Sequence, residues 1–474
     1  MFIGRQDELS FLDEKFKTKK SEFIILYGRR RIGKTSLIQK FAKDKPHIFY
    51  SAVQITDSVQ LEKMSKIVQQ YFKINIYSKS FSDWEMLFKF IVDNLDSQTK
   101  EKLIIVIDEF PYMVQSNKSI PSILQKLWDH YFSNQNIMLI VCGSSMSFME
   151  KKVLSEKNPL YGRTTGILKM QEMDFESSIE FMGKGSLQEH INYYSVFSGV
   201  PYYLSMIDPN DTFENNIKKN ILSNKSVLFN EPEFLLKQEL REVNQYNAII
   251  EAIALGNSKI NDIYQKTGIE KTKIPFYIGN LIELGIIKKE YPATIKTKEQ
   301  IKSRMGIYRV DNSYFRFYYA FVYPYISELS DGAEEVIYED IIMERLSMFV
   351  SSEFESISIR QLRELGNNKL LPIRPVKVGR WWQKDIEIDI VAYDIKNNFI
   401  FGECKWRNEK VSLQILEQLK NKAKKIGGKV NSLRYVLFSK SGFTDDILNY
   451  VYSNKDCFLI DYSASKVRII DGKK

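Results

Sequence analysis

Phe23-Ile24-Ile25-Leu26-Tyr27 is an unbroken apolar run, followed at once by Gly28-Arg29-Arg30-Arg31-Ile32-Gly33-Lys34-Thr35. An apolar run without polar alternation predicts a strand buried on both faces, the habit of a parallel sheet. The Gly-x-x-x-x-Gly-Lys-Thr spacing is that of a P-loop. Its two glycines let backbone N–H groups curl around phosphates, and Ser36-Leu37-Ile38-Gln39-Lys40-Phe41 opens a helix whose positive end faces the same anion. Lys34 is expected to reach the β- and γ-phosphates of ATP, and the Thr35 hydroxyl to be a ligand of Mg2+. Gly28, Arg29, Arg30, Arg31, Ile32, Gly33 and Ser36 complete the nucleotide-binding set.

A phosphate cradle needs a partner strand, and Leu103-Ile104-Ile105-Val106-Ile107 ends in Asp108-Glu109. Asp108 is expected to hold Mg2+ through water. Glu109 stands where a carboxylate can orient or deprotonate the attacking water, which separates a hydrolase from a binder. Intervening helical stretches, Leu61 to Tyr71 and Trp84 to Leu95, give βα repetition and predict a mainly parallel sheet with helices on both faces. The ligand then belongs at the carboxyl edge, with Gly28, Asp108 and Ser144.

A chain of 474 residues is too long for one core. Three parts are expected: a P-loop ATPase domain over 1–205, a helical linker and winged-helix domain over 206–330, and an α/β domain over 331–474. With 44% hydrophobic and 27% charged residues the composition is that of a soluble globular protein. The longest apolar runs are strand-sized, so no membrane partner is expected. The stretch from Met1 to Glu8 lacks a basic start followed by an apolar signal region, which places the protein in the cytoplasm. Cys142, Cys404 and Cys457, with His47, His130 and His190, have no zinc-site spacing, so any metal should be oxygen-bound. The net charge of +9 suits nucleic acid and suits Lys-rich solvated faces equally.

Ile3-Gly4-Arg5-Gln6-Asp7-Glu8-Leu9 precedes the P-loop, and Ile137 to Ser145 reads as a further buried strand ending in small polar residues. The Gly-Arg-x-x-Glu box, the Arg-rich P-loop and the Asp-Glu strand together resemble the archaeal-type ATPases of the STAND/AAA+ group. That resemblance implies nucleotide contact by Gly4, Arg5 and Glu8 near the adenine, and a sensor role for Ser144. It also implies that Arg163, after the sensor strand, stabilises the transferring phosphoryl group within its own subunit or across a homo-oligomer interface; a surface arginine in a loop reads the same way. Gly199-Val200-Pro201 resembles the turn by which such modules couple nucleotide state to the next domain, and a simple helix-ending turn looks alike.

The polar helical stretch from Asp208 to Glu242 is expected to break at Asn230-Glu231-Pro232. Then come three helical patterns, Tyr246 to Ala254, Lys259 to Thr267 and Lys271 to Leu284, and two short strands, Ile286 to Glu290 and Gly306 to Val310, around a basic loop. That order predicts a winged helix. Its third helix would carry Lys271 and Lys273 to DNA, with Lys288, Lys289, Lys296, Lys298, Lys302 and Arg304 near the wing; winged helices also serve as packing modules. The aromatic stripe from Tyr308 to Tyr325 reads as a core face before it reads as a base-stacking surface.

In the last part, Ile386-Glu387-Ile388-Asp389-Ile390-Val391-Ala392 and Phe399-Ile400-Phe401-Gly402-Glu403-Cys404-Lys405-Trp406 form a predicted hairpin. Folding symmetrically about Lys396 sets Asp389 opposite Glu403, with Cβ atoms about 5 Å apart, suited to sharing one divalent cation. A slip of one residue breaks the site. Lys405 lies on the same face as Glu403. A hairpin with charges on its wet face is the ordinary alternative. The Asp, spacer, Glu-x-Lys arrangement resembles the PD-(D/E)XK nuclease core, although Ile388 stands where that name has proline. The resemblance implies a restriction-endonuclease-like fold, Mg2+ or Mn2+ held by Asp389 and Glu403, and Glu355, with Glu353 as its neighbouring alternative, completing the metal shell from the end of the helical pattern that starts at Ile337. The combined expectation is an ATP-controlled, metal-dependent DNA nuclease. The alternative is a STAND-type regulatory switch whose last domain binds DNA or protein without cutting.

Overall fold

The computed structural model describes residues 2–74, 80–95, 101–426 and 430–472. The chain gathers into two compact units: Met1–Ser177 with Val200–Tyr202, and Ser178–Gly199 with Tyr203–Lys474.

The first unit is built on five strands: β1 (Glu22–Tyr27), β2 (His47–Ser51), β3 (Leu103–Asp108), β4 (Ile137–Gly143) and β5 (Gly166–Lys169). They are parallel, in the order β2-β3-β4-β1-β5. Side chains alternate across a strand, and here both sides are buried. Phe23, Ile25, Ile105 and Ile107 pack with Met64, Val68, Phe88 and Leu124, while Ile24, Leu26, Ile104 and Val106 pack with Leu12, Leu37, Ile38 and Phe41. Helices therefore cover both faces, as the unbroken apolar runs require.

In the second unit, helices Val243–Ala254, Ile260–Thr267 and Ile274–Glu283 precede an antiparallel ladder of β6 (Ile287–Glu290) and β7 (Ile307–Val310). A new helix, Glu231–Glu239, starts at the expected break, with Asn230 before its first residue; Pro232 is part of that boundary. It lies in the first turn of the helix Glu231–Glu239, where its missing N–H costs nothing. Tyr314, Phe315, Phe317, Tyr318, Tyr319 and Phe321 are all buried, so the aromatic stripe is core.

The rest of that unit is a six-stranded sheet. Its strands are β8 (Lys377–Gln383), β9 (Ile386–Tyr393), β10 (Asn398–Lys405), β11 (Ser432–Ser439), β12 (Cys457–Asp461) and β13 (Arg468–Ile470), in the spatial order β13-β12-β11-β10-β9-β8. β10, β11 and β12 are parallel and the outer pairings antiparallel. One face packs Val391, Phe401 and Leu437 against Leu416 and Leu419 of the helix Leu413–Ala423 and Ile447 of the helix Asp445–Ser453. The helix Met343–Asn367 brings Phe354 to Trp406 and Tyr462, with ring centroids 5.1 and 5.0 Å apart.

Two expectations need correction. Glu355 is not near the end of its helix, because Ile357, Leu362 and Leu365 continue the apolar stripe and the helix runs to Asn367. β8 has no counterpart in the sequence reading: a register shift between Gly379 and Trp381 interrupts its alternation.

Leu437 is fully buried at the centre of this sheet. Leu437→Ala is expected to cost the second unit about 2–5 kcal/mol, read as an earlier urea transition.

Candidate functional site

The P-loop joins β1 to the helix Lys34–Ala42. Gly33 has φ +87°, and a Cβ on Gly28 would lie 2.5 Å from the Met170 carbonyl oxygen, so both positions require glycine. No side chain caps the helix start. Its first N–H groups are left for an anion, as phosphate binding requires. Lys34 is buried, and its Nζ donates to the carbonyls of Gly28 (2.9 Å) and Arg29 (2.8 Å). Burial draws the ammonium below its ordinary pKa, while Cys142, Glu109 and Asp108 pull it back up.

The sheet order brings Asp108 of β3 to this loop, and the Thr35 hydroxyl donates to its Oδ2 at 2.8 Å. Both are oxygen donors of the kind Mg2+ takes, so the residues fit that ion. Glu109 follows with φ +51°, its N–H bonded to Asp108 Oδ1, and its Oε2 accepts from the Ser144 hydroxyl at 2.9 Å. The expected hydrolytic pair and the expected sensor residue are thus in direct contact.

The N-terminal box lies against the loop. Arg5 donates to the carbonyls of Ile32 (3.1 Å) and Gln171 (2.7 Å) and pairs with Glu8 at 2.9 Å, and Gly4 adopts φ +66° beside Met173. Arg29 pairs with Glu172 at 3.1 Å, Arg30 donates to the Tyr112 hydroxyl, and the Arg31 guanidinium lies 4.4 Å from the Tyr202 ring centroid. Ile32 is buried and Ser36 exposed. Tyr202 also donates its N–H to the Arg31 carbonyl, so Val200–Tyr202 joins the P-loop's own unit. Arg163 has partners of its own in the first unit. Its Nε and Nη2 grip Asp129 Oδ2 at 3.1 and 2.8 Å, and its Nη1 takes the Pro159 carbonyl.

The second constellation lies in the six-stranded sheet. Phe399 pairs with Tyr393 and Gly402 with Ile390, the register symmetric about Lys396 that the sequence predicts. Asp389 follows directly, and its Oδ2 accepts from the Cys404 N–H at 2.8 Å. Glu403 is buried and takes Lys405 Nζ at 2.8 Å, and Lys422 at 3.1 and 3.0 Å, one contact to each of its oxygens. Burial, reinforced by repulsion from Glu355 and Glu403, pushes the Asp389 carboxyl up to about 7. Glu355 is paired with Arg380 at 2.9 Å. Among the described residues no group of three or more His, Cys, Asp or Glu side chains comes together for a metal. The sequence reading missed Lys422 and Arg380, because nothing local to either residue points to a carboxylate far along the chain.

Several of the basic residues near β6 and β7 have partners within the chain. Lys288 pairs with Glu290 (3.3 Å) and Asp311 (2.8 Å), and Lys289 lies over the Tyr291 and Tyr308 rings. Lys273 pairs with Glu270, and Lys271 donates to Asn261. The segment between the strands docks on β8: Ala293 donates to the Arg380 carbonyl (2.8 Å), and Trp382 Nε1 donates to the Met305 carbonyl (3.1 Å).

Residues 2–207 match a family described as "ATPase domain predominantly from Archaea", and residues 318–426 one described as "Archaea bacterial proteins of unknown function". The uncharacterized protein MJECL04 of Methanocaldococcus jannaschii is 33% identical over 97% of this chain and 99% of its own length. The Walker-type ATPase paby2304 of Pyrococcus abyssi is 19% identical, with a TM-score of 0.50 over 67% of this chain and 96% of that one, a likeness of fold. The Aeropyrum pernix ORC2 protein is 13% identical, with a TM-score of 0.42 over 71% of this chain and 94% of that one. Among the described residues no helix is long and apolar enough to cross a membrane.

Lys34→Ala removes a charge-assisted contact to phosphate and is expected to weaken ATP binding about 10–100-fold, measured by titration calorimetry. Arg163→Ala breaks a half-exposed pair and is expected to lower stability by no more than about 1 kcal/mol in thermal melts.

Proposed function

The chain belongs to the archaeal-type ATPase family that includes the Methanocaldococcus jannaschii protein, and on that premise we propose an ATP-controlled, metal-dependent DNA nuclease. The observation that carries the second half of this reading is the hairpin, whose ladder ends at Gly402 opposite Ile390, one residue short of Glu403 and Asp389, with Asp389 accepting from the Cys404 N–H and Lys405 bonded to Glu403.

In the ATPase unit, Thr35 and Asp108 would hold Mg2+, which supplies neutralisation of charge on the phosphates. Lys34 leaves its loop carbonyls for the β- and γ-phosphates. Glu109, held by Ser144, orients the attacking water. In the second unit, Asp389 and Glu403 would hold Mg2+ or Mn2+, which supplies an activated water and a polarised phosphodiester oxygen. Lys405 neutralises charge developing on the scissile phosphate, and Lys422 fixes the Glu403 carboxylate. The helix that leads into β8, β9 and β10, and the helix and parallel strand after them, support the restriction-endonuclease-like reading. The three helices before β6 and β7 support a winged helix, and the engaged Lys288 and Lys289 favour its use as a packing module.

A second reading is favoured by one observation. Glu355 and Glu403 are both neutralised by cations of this chain, as suits a STAND-type regulatory switch whose sheet binds DNA or protein without cutting.

Purified protein is tested on supercoiled and linear DNA with Mg2+ or Mn2+, with and without ATP. Cutting is expected in the wild type, lost in Asp389→Asn, and insensitive to ATP in Lys34→Ala. Intact ATP hydrolysis with no cutting under any condition overturns the nuclease in favour of the switch.

A further inference from the structure

The helix Ile274–Glu283 buries Ile274, Tyr277, Ile278 and Leu281. Its other side is apolar too. Pro275, Phe276 and Ile282 are exposed, Phe276 by 65% and Ile282 by 39%. Each lies three or four residues from Gly279, so the four share one face with Gly279 at its centre. A helix apolar all round is ordinarily covered all round.

Gly279 makes the face costly to its own chain. Glycine inside a helix is destabilising relative to alanine. Gly279 is not among the positions of positive φ, and a Cβ there would meet nothing within 4 Å among the described residues. Neither backbone nor packing of this chain therefore calls for glycine, which leaves close approach from outside as its use. The charges at the helix ends are likewise unfavourable to a lone chain. Lys271 precedes the first turn and Glu283 is the last residue, each at the end where the helix dipole favours the opposite sign. Lys271 donates to the neutral Asn261, which leaves its charge in place.

We propose that this face is the contact between two copies of the chain, with the helices antiparallel about a twofold axis at Gly279. Phe276 and Ile282 each stand three residues from Gly279. The twofold therefore sets each copy's Phe276 on the other's Ile282, two equivalent contacts from one patch. The glycines meet at the crossing and let the backbones approach. Lys271 of each copy comes within a turn of the other's Glu283, so charges that oppose their own dipole gain opposite neighbours. Duplex DNA is the poorer occupant, because Pro275, Phe276, Gly279 and Ile282 offer no side-chain donor or acceptor to base edges. A pair of ten-residue helices is small beside the roughly 1,200 Å2 of a standard interface, so a dissociation constant of about 10–100 μM is expected.

The test is sedimentation velocity of the full chain across concentrations that bracket that constant, with thermal melts beside it. G279A is expected to melt no earlier than the wild type and yet to weaken the dimer about tenfold, because two methyl groups enter the crossing. F276E is expected to weaken it at least as far. K271E is expected to weaken it by setting acid against acid, and K271E combined with E283K to restore it. A monomer at every concentration overturns the proposal, as does association that ignores G279A and F276E. A G279A chain that melts earlier overturns it too, since the glycine then serves its own fold. Absence of rescue in the double variant overturns the antiparallel pairing and the proposal with it. Duplex binding by a monomer that F276E abolishes makes nucleic acid the occupant and overturns the second copy.

Discussion

Strands buried on both faces have nowhere to present a polar group except at their ends, and the first unit is organised by that restriction. β1, β3 and β4 are buried throughout, so Lys34, Asp108 and Ser144 lie at or just beyond their carboxyl termini. The parallel order places these ends side by side, and the Thr35–Asp108 hydrogen bond joins two of them. Specificity for an anion then follows from backbone geometry. The loop cannot carry a side chain at Gly28 without striking the Met170 carbonyl, so its course leaves the N–H groups of the helix start uncovered.

The second unit solves a different problem. Three of its five strand pairings are antiparallel, and of the candidate carboxylates Glu403 on the hairpin and Glu355 on the helix are each held by cations of the same chain. Burying charges is costly unless each is matched, and here the matching comes from several elements: Lys422 from one helix, Arg380 from β8, and Glu290 from a ladder more than eighty residues upstream of the nearest hairpin strand's end. Such a network adds little to stability.

Much of this was legible in the sequence, for reasons that differ between the sites. The P-loop and the Asp108-Glu109 strand are local patterns, in which each residue's task follows from its neighbours. The hairpin register was legible because its turn, Asp394 to Asn398, fixes a count, and the pairs from Phe399 with Tyr393 to Gly402 with Ile390 keep it. What stayed hidden depends on packing between distant stretches. Arg380 reads as one cation in a strand whose alternation is broken by a bulge, and Lys422 as one lysine in a Lys-rich helix end, and nothing in the ladder's own sequence shows that Lys288 meets Asp311. Charge in a sequence does not say which side of a surface is already taken.

Val200–Tyr202 belongs to the first compact unit, while the residues on both sides of it belong to the second. During synthesis the first unit therefore lacks its last three residues when Ser177 leaves the ribosome. It waits for twenty-five further residues to emerge before Tyr202 can lie against Arg31, a delay of about 1–5 s at ordinary rates of translation. A stretch destined for the other unit, Ser178–Gly199, is thus made before the last piece of the P-loop's own unit.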